Sequence, residues 1–184
     1  SLVISGQRAA FVAGHSVDSS ALVLLDLKTI ESMVVRRAMD INIDPKNISI
    51  GMAIDVPSGD GIDVHAYFYA PVNINYSGPV YEKTPLIVKS HGGPTGQTTQ
   101  SFSLGIQFWT SRGFAVLDVN YSGSSGYGRA YRSRLDGRWG EVDVEDCISC
   151  VQYLVGKELV DGERVVITGG SAGGFTPLCA LTFH

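Results

Sequence analysis

The chain has 184 residues, 44% of them apolar and 17% charged, with a net charge of −4 at pH 7. This length and composition allow one ordinary globular core, and the acidic balance without a Lys or Arg cluster excludes a nucleic-acid surface. No apolar run reaches the roughly 20 residues that span a bilayer, and "SLVISGQRAA" at the start lacks a charged leader, so we expect no membrane partner.

The three cysteines are too few for a disulfide framework and favour a reducing, cytoplasmic compartment. Cys147 and Cys150 have the CxxC spacing of redox and zinc sites, but they lie in "DVEDCISCVQYLV", whose apolar residues recur at helical spacing. Further zinc ligands do not cluster nearby. We therefore predict packed helix cysteines, and expect no metal and no cofactor.

Residues 1 to about 45 hold short strand-like runs, "AAFVAG" and "ALVLLDL", that predict a β-meander. The chain opens at Ser1 inside this pattern, from which we expect a piece of a longer protein. From about residue 46 the pattern changes. "ISIGMAIDV" and "IDVHAYFYA" flank the turn sequence "PSGDG" and predict a hairpin, and "PLIVKS" predicts a buried strand that stops at "HGGPTGQ".

The next segments alternate between helical and strand patterns. "SFSLGIQFWTSRG" predicts a helix that places Leu104, Phe108 and Trp109 on one side and ends near Gly113. The strand "FAVLDVNY", a glycine-rich loop, a helix over about 141–157 and the strand "ERVVITGG" follow. This order is typical of parallel βαβ units, so we predict an α/β sheet with an antiparallel hairpin at one edge.

Two acidic residues and one aromatic residue near the start of the 141–157 helix are predicted to be structural. Asp143 and Asp146 lie where negative charge stabilises the helix dipole and the free N–H groups. Trp139, just before this helix, is predicted to be a packing residue.

The closing stretch "VVITGGSAGGFTPLCALTFH" contains the GxSxG pattern of a nucleophile elbow. In this strand-to-helix turn the residues two positions either side of the serine approach each other, and only glycine leaves room. Ser171 is therefore a candidate nucleophile, and a serine cap in a glycine-rich phosphate-binding turn is the alternative. The helix that follows is predicted to bury Phe175, Leu178, Cys179 and Leu181 and to hold Pro177 in its first turn.

The loop "HGGP" supplies a second candidate element. In hydrolases with this elbow, one oxyanion donor comes from the loop after the third strand and the other from the residue after the serine, here the N–H groups of Gly93 and Ala172. An ordinary tight turn is the alternative for this loop. His91 is a weak candidate for the base, because in such hydrolases the histidine follows the serine along the chain.

These motifs resemble the prolyl oligopeptidase family of serine peptidases, particularly its dipeptidyl and acylaminoacyl peptidase branch. The resemblance rests on "SHGGPTGQ", "RGFAVLDVNYSGSSGYGRAYRSRLDGRWGEVDVEDC" and "VVITGGSAGGFTPLCALTF", in the family's order and spacing. It implies an α/β-hydrolase catalytic domain over residues 46–184, truncated after the nucleophile helix. Residues 1–45 would be the end of the β-propeller that precedes this domain.

The resemblance also implies roles for individual residues. Ser171 would be the nucleophile, and the N–H groups of Gly93 and Ala172 would form the oxyanion hole. The expected substrate-adjacent residues are His91, Gly92 and Tyr121. Family members commonly carry arginine where this chain has Ser122, which puts any substrate contact of that arginine in doubt.

Acyl transfer from a serine also needs a base and an acid, and in this fold both follow the nucleophile. After Ser171 the chain has no Asp or Glu, and its sole histidine is His184, about 20 Å away along a helix. We therefore expect the triad Asp and His beyond the chain end and the chain alone to be inactive.

The expected function is hydrolysis of short peptides through an acyl-enzyme on Ser171. The alternatives are an esterase of the same fold, or a non-catalytic fragment or interaction module. Besides the short peptide substrate, the expected partners are the remainder of the hydrolase domain or other copies in an oligomer.

Overall fold

A computed structural model describes residues 2–59 and 61–183 of the chain. The first part is a four-stranded antiparallel sheet in which the strands pair in chain order, which confirms the predicted β-meander. Its strands are β1 (Leu2–Ser5), β2 (Arg8–Ala13), β3 (Ala21–Asp26) and β4 (Ser32–Arg37). All residues of β4 are exposed, so this sheet leaves much apolar surface open.

The second sheet has five strands in the order β5-β6-β8-β7-β9. The strands are β5 (Met52–Val56), β6 (Val64–Tyr69), β7 (Leu86–Ser90), β8 (Ala115–Asn120) and β9 (Val165–Gly169). The β5–β6 and β6–β8 pairs are antiparallel, whereas β7 pairs in parallel with both β8 and β9. The predicted α/β architecture with an antiparallel hairpin at one edge is confirmed.

Four helices accompany this sheet. They are α1 (Leu104–Thr110), α2 (Gly128–Ser133), α3 (Val142–Gly156) and α4 (Ala172–Phe183), and a 3₁₀ turn covers Pro45–Asn47. In the parallel register Ser90 lies opposite both Val119 and Gly169. The loops that follow β7, β8 and β9 therefore meet at one edge of the sheet, where α/β folds place their binding sites.

The core lies between the sheet and α3. Strand β8 is buried along its whole length, and Cys147, Cys150 and Leu154 of α3 pack against its apolar side chains. Both cysteines are free and buried, which confirms that they are packed helix cysteines. Burial raises the pKa of the Cys147 and Cys150 thiols, so both stay protonated and unreactive near neutral pH.

The predicted helix is present as α1, and its buried side is not the one that carries Leu104, Phe108 and Trp109. These three residues are exposed, whereas Ile106, Gln107 and Thr110 are buried. The Gln107 side chain turns inward because its amide bonds the backbone of Ser49, accepting at 2.8 Å and donating at 3.0 Å. A polar side chain can be buried in this position because both of these hydrogen bonds are made. Gly113, in the left-handed region at φ +88°, follows the helix as predicted.

Two predictions for α4 are wrong. Pro177 is the sixth residue of the helix and so lies beyond its first turn. Phe175, Leu178 and Leu181 are exposed, and the buried residues of this helix are Gly173, Thr176, Pro177 and Cys179. The helix contacts β7, β9 and α3 through the side that carries these buried residues. Its first turn approaches the backbone of β7 too closely for large side chains.

Candidate active site

The chain turns sharply between the end of β9 and the start of α4. Ser171 sits in this turn with φ at +56°, a conformation that is uncommon for any residue but glycine. A Cβ atom on Gly169 would lie 2.1 Å from the Gly173 carbonyl oxygen, and one on Gly173 would lie 2.1 Å from the Ser90 carbonyl oxygen. Both glycines of the GxSxG pattern are therefore sterically required, as the sequence predicted.

The first turn of α4 points its N–H groups toward the elbow. The N–H of Gly173 donates to the Gly170 carbonyl at 3.0 Å and that of Gly174 to the Ser171 carbonyl at 2.9 Å. Ala172 is the first helical residue and has no intrahelical acceptor for its own N–H. The helix dipole adds positive potential at this end.

The "HGGP" loop lies directly against the elbow. A Cβ atom on Gly92 would lie 3.5 Å from Ser171 Cβ and 3.2 Å from the Gly170 carbonyl oxygen. Gly93 has φ at +134°, and a Cβ atom there would lie 2.4 Å from the Gly96 nitrogen, so the loop is tightly turned. The structure thus brings Gly92 against Ser171, while Gly93 follows it in the loop and Ala172 follows Ser171 in the chain.

His91 is held by its own loop and by the loop after β8. Its Nδ1 lies 2.9 Å from the Gly92 carbonyl oxygen, its Nε2 lies 2.7 Å from Ser124 Oγ, and its ring stacks on Tyr121 at 4.4 Å. Burial lowers the pKa of His91, and the hydrogen bond to Gly92 opposes this effect. Both ring nitrogens are occupied, so His91 is poorly placed to take a proton from Ser171.

Tyr121 lies under the "HGGP" loop and is fully buried. Its hydroxyl is 2.8 Å from the His91 carbonyl oxygen and 3.1 Å from that of Pro94, so it donates to the backbone of the loop. Burial raises the pKa of this hydroxyl, which keeps it a donor at all ordinary pH values. The observed role is support of the loop, and a contact of Tyr121 with substrate stays a prediction.

The loops after β7 and β8 are joined by further hydrogen bonds. The Ser125 N–H donates to the Gly96 carbonyl at 2.9 Å, and the Thr98 N–H donates to Asn120 Oδ1 at 2.8 Å. Ser122 is buried, and within residues 2–59 and 61–183 its hydroxyl has no hydrogen-bond partner. Backbone groups and small polar side chains therefore hold these two loops together beside the site.

Asp143 and Asp146 connect α3 to the elements around the site by hydrogen bonds. Asp143 accepts from the Gly140 N–H at 2.7 Å and from Thr176 Oγ1 at 2.5 Å, which ties α3 to α4. Asp146 accepts from the Ser122 N–H at 2.6 Å, which ties α3 to the loop after β8. These contacts agree with the predicted structural role. Trp139, about half exposed, packs its ring on Phe175 at 4.9 Å.

The other histidines lie away from the elbow, and His184 lies outside the described residues. His65 Nδ1 is 2.7 Å from Asp55 Oδ1, and its ring stacks on Tyr127 at 4.0 Å. His15 precedes β3, and its carbonyl accepts from the Phe102 N–H at 2.7 Å. Neither shows a hydrogen bond to Ser171, so the nucleophile has no basic partner among the described histidines.

Sequence reasoning missed Ser90 and Ser124. Ser124 Oγ donates to the Tyr121 carbonyl at 2.6 Å besides contacting His91, and Ser90 Oγ donates to the Gly173 carbonyl at 2.7 Å. Ser90 ends a strand of buried apolar residues, and its hydroxyl was the one available signal, because a buried polar group needs a partner.

The described part of the chain brings together no group of three or more His, Cys, Asp or Glu side chains that could hold a metal ion. Along the same residues, no helix combines the length and the apolar character that a membrane crossing requires.

Comparisons with known proteins agree with the predicted resemblance. Residues 100–184 match the model of the prolyl oligopeptidase family. Dipeptidyl aminopeptidase BIII of Pseudoxanthomonas mexicana is 32% identical over 132 residues, which are 71% of this chain and 19% of that protein. The chain thus spans about a fifth of the length of this relative.

Solved structures show the same likeness in three dimensions. A puromycin hydrolase superposes with a TM-score of 0.95 at 40% identity, over 99% of this chain and 28% of that one. An acylaminoacyl peptidase of Pyrococcus horikoshii superposes with a TM-score of 0.79 at 27% identity, over 98% of this chain and 28% of that one. The α/β-hydrolase fold is confirmed, and the resemblance to the prolyl oligopeptidase family of serine peptidases is confirmed over residues 100–184.

Proposed function

We propose that this chain carries the nucleophile and the oxyanion hole of a peptidase that hydrolyses short peptides. The observation that carries the proposal is the left-handed conformation of Ser171, at φ +56°. Gly169 and Gly173, two residues either side of it, each lie so close to a backbone carbonyl oxygen that a side chain would not fit. Such strain persists only where the surroundings impose it, and it is typical of functional sites. The adjacent Gly92 and the N–H of Ala172 support the assignment.

In the proposed reaction a base takes the hydroxyl proton of Ser171 while Oγ attacks the scissile carbonyl carbon. The negative charge moves to the carbonyl oxygen, which accepts from the N–H groups of Gly93 and Ala172, each worth about 3 kcal/mol in the transition state. The amine leaves with the proton held by the base, and water then releases the acyl group by the same steps in reverse.

The base and its orienting acid are proposed to come from outside residues 2–183. No Asp or Glu follows Ser171 in the sequence, and His91, His65 and His15 are held elsewhere. Ser171 without a base is a weak nucleophile at neutral pH. The chain by itself is therefore expected to turn over no substrate, and the remaining triad residues would belong to sequence that continues past His184.

The names of the relatives support the proposed substrate class. One is a dipeptidyl aminopeptidase, one an acylaminoacyl peptidase and one a puromycin hydrolase. The first two names denote peptidases that act at dipeptidyl or acylaminoacyl groups, and the third denotes hydrolysis of puromycin. We propose that this protein likewise acts on short peptides or aminoacyl amides.

A two-part organisation is proposed along with this function. Residues 1–45 would be the end of a β-propeller, which the four-stranded meander with its exposed apolar faces supports. Residues 46–184 would be the first part of the catalytic domain. The unpaired apolar surface of the meander would pack against neighbouring blades.

The test uses a form of the protein that extends past residue 184, with the Ser171→Ala variant as control. Aminoacyl and dipeptidyl anilides are compared with matched p-nitrophenyl esters. The proposal predicts hydrolysis of the anilides that is abolished in the variant. Hydrolysis of esters alone would point to an esterase, and equal turnover by both proteins would overturn the role of Ser171.

A further inference from the structure

The helix that starts at the nucleophile turn contains a proline that removes one of its own hydrogen bonds. In a regular α-helix the carbonyl of Gly173 would accept from the N–H of residue 177, but Pro177 has none. Gly173 and Pro177 are both buried, so water cannot replace the missing donor easily. A buried carbonyl without a donor would be costly.

The missing donor is supplied from the neighbouring strand. Ser90, 3% exposed, donates its hydroxyl hydrogen to the Gly173 carbonyl at 2.7 Å. The Thr168 carbonyl lies at 3.4 Å from the same hydroxyl, so the single proton is directed to Gly173. The side chain of β7 thus replaces a bond that the backbone of α4 cannot make.

The hydrogen bond from Ser90 to Gly173 connects two elements of the proposed active site. Ser90 is the last residue of β7. The "HGGP" loop, which is the proposed oxyanion loop, follows it directly with His91, Gly92 and Gly93. Gly173 lies two residues after Ser171. One hydrogen bond therefore joins the base of the oxyanion loop to the first turn of the nucleophile helix.

We propose that Ser90 is a positioning residue that fixes the nucleophile turn relative to the oxyanion loop, an inference that rests on the proposed role of Ser171. The close packing of Gly173 on the Ser90 backbone limits how near the two elements come. The directional bond in addition fixes how far α4 can rotate or withdraw. Loss of the hydroxyl lets α4 shift, and the Ala172 N–H and Ser171 Oγ move away from the loop.

The proline provides a compensating variant. Ser90→Ala removes the donor, whereas Pro177→Ala restores an N–H that can bond Gly173 within the helix. The double variant therefore regains the hydrogen bond by another route. Thr182→Ala is the matched control, because its hydroxyl donates to the Leu178 carbonyl of the same helix at 2.7 Å but is exposed.

The first measurement is amide hydrogen exchange of the segment 170–180 in the 184-residue chain. We expect Ser90→Ala to exchange about tenfold faster than wild type, and the double variant and Thr182→Ala to stay within about threefold. A Ser90→Ala variant that exchanges like wild type overturns the proposal. If Ser90→Ala does not fold, folding of the double variant supports the proposal, and failure of both overturns it.

The second measurement is the steady-state kinetics of a form that continues past residue 184. Ser90→Ala is expected to lower kcat about tenfold with KM unchanged, and Pro177→Ala is expected to restore kcat in the double variant. A loss that Pro177→Ala does not restore overturns the positioning role. If wild type has no Ser171-dependent activity, the proposed function fails, while the exchange measurement still decides whether Ser90 holds α4.

Discussion

Gly173→Ala tests the geometry of the nucleophile turn. The added methyl carbon would lie 2.1 Å from the Ser90 carbonyl oxygen and 2.6 Å from that of His91, where ordinary contacts begin at 3.4 Å. Both oxygens belong to the backbone, so no side-chain rotation relieves the clash. Helix α4 would have to withdraw from β7 by about 1 Å, which also breaks the bond from the Ser90 hydroxyl to Gly173.

The expected loss of stability combines three contributions. Overpacking costs about 1–3 kcal/mol, and the buried carbonyl left without its donor costs about 1–3 kcal/mol. Alanine regains up to about 1 kcal/mol over glycine in a helix. With the midpoint of each cost and the full gain from alanine, the free energy of unfolding should fall by about 3 kcal/mol.

Gly174→Ala is the matched control, since a Cβ atom there lies 3.4 Å from the Gly169 carbonyl oxygen, an ordinary contact. It should be neutral or should stabilise by up to about 1 kcal/mol. Urea unfolding followed by circular dichroism compares the two variants with wild type. Two variants that unfold at the same urea concentration would refute the steric account of the GxSxG glycines.

Two further predictions concern α3. Asp143→Ala leaves the partly buried Gly140 N–H and the buried Thr176 hydroxyl without their acceptor and should lower the free energy of unfolding by about 3 kcal/mol. Asp143→Asn should cost clearly less, and equal losses in urea unfolding would argue against this bonding role. Burial raises the pKa of Cys147 and Cys150, so their thiols should stay protonated at pH 8 and react with a thiol reagent only in denaturant. Rapid reaction of these two residues in the native chain would contradict the packing assigned to them.

The individual strands and the elbow could be predicted from the sequence because each depends on a local rule. Runs such as "FAVLDVNY" have the length and apolarity of buried strands, and β8 is buried throughout. Gly169 and Gly173 are required by backbone contacts alone, so residue type and spacing are sufficient to find them. The packed cysteines of α3 follow from helical spacing in the same way.

The sequence could not predict the details that tertiary contacts determine. Gln107 is buried because the backbone of Ser49, far away along the chain, offers both a donor and an acceptor. Pro177 stands inside α4 because Ser90 supplies the lost bond. Neither partner can be identified from the local sequence, since each depends on how distant segments meet.

The central claim is that Ser171 is the nucleophile, and covalent labelling with a fluorophosphonate probe tests it most directly. A form that continues past residue 184 should be labelled, with the adduct mapped to Ser171 by mass spectrometry and absent from Ser171→Ala. The 184-residue chain should not be labelled, because the described residues offer Ser171 no base. An adduct on another serine, or equal labelling of the variant, would contradict the claim, and labelling of the 184-residue chain at Ser171 would contradict the absence of its base.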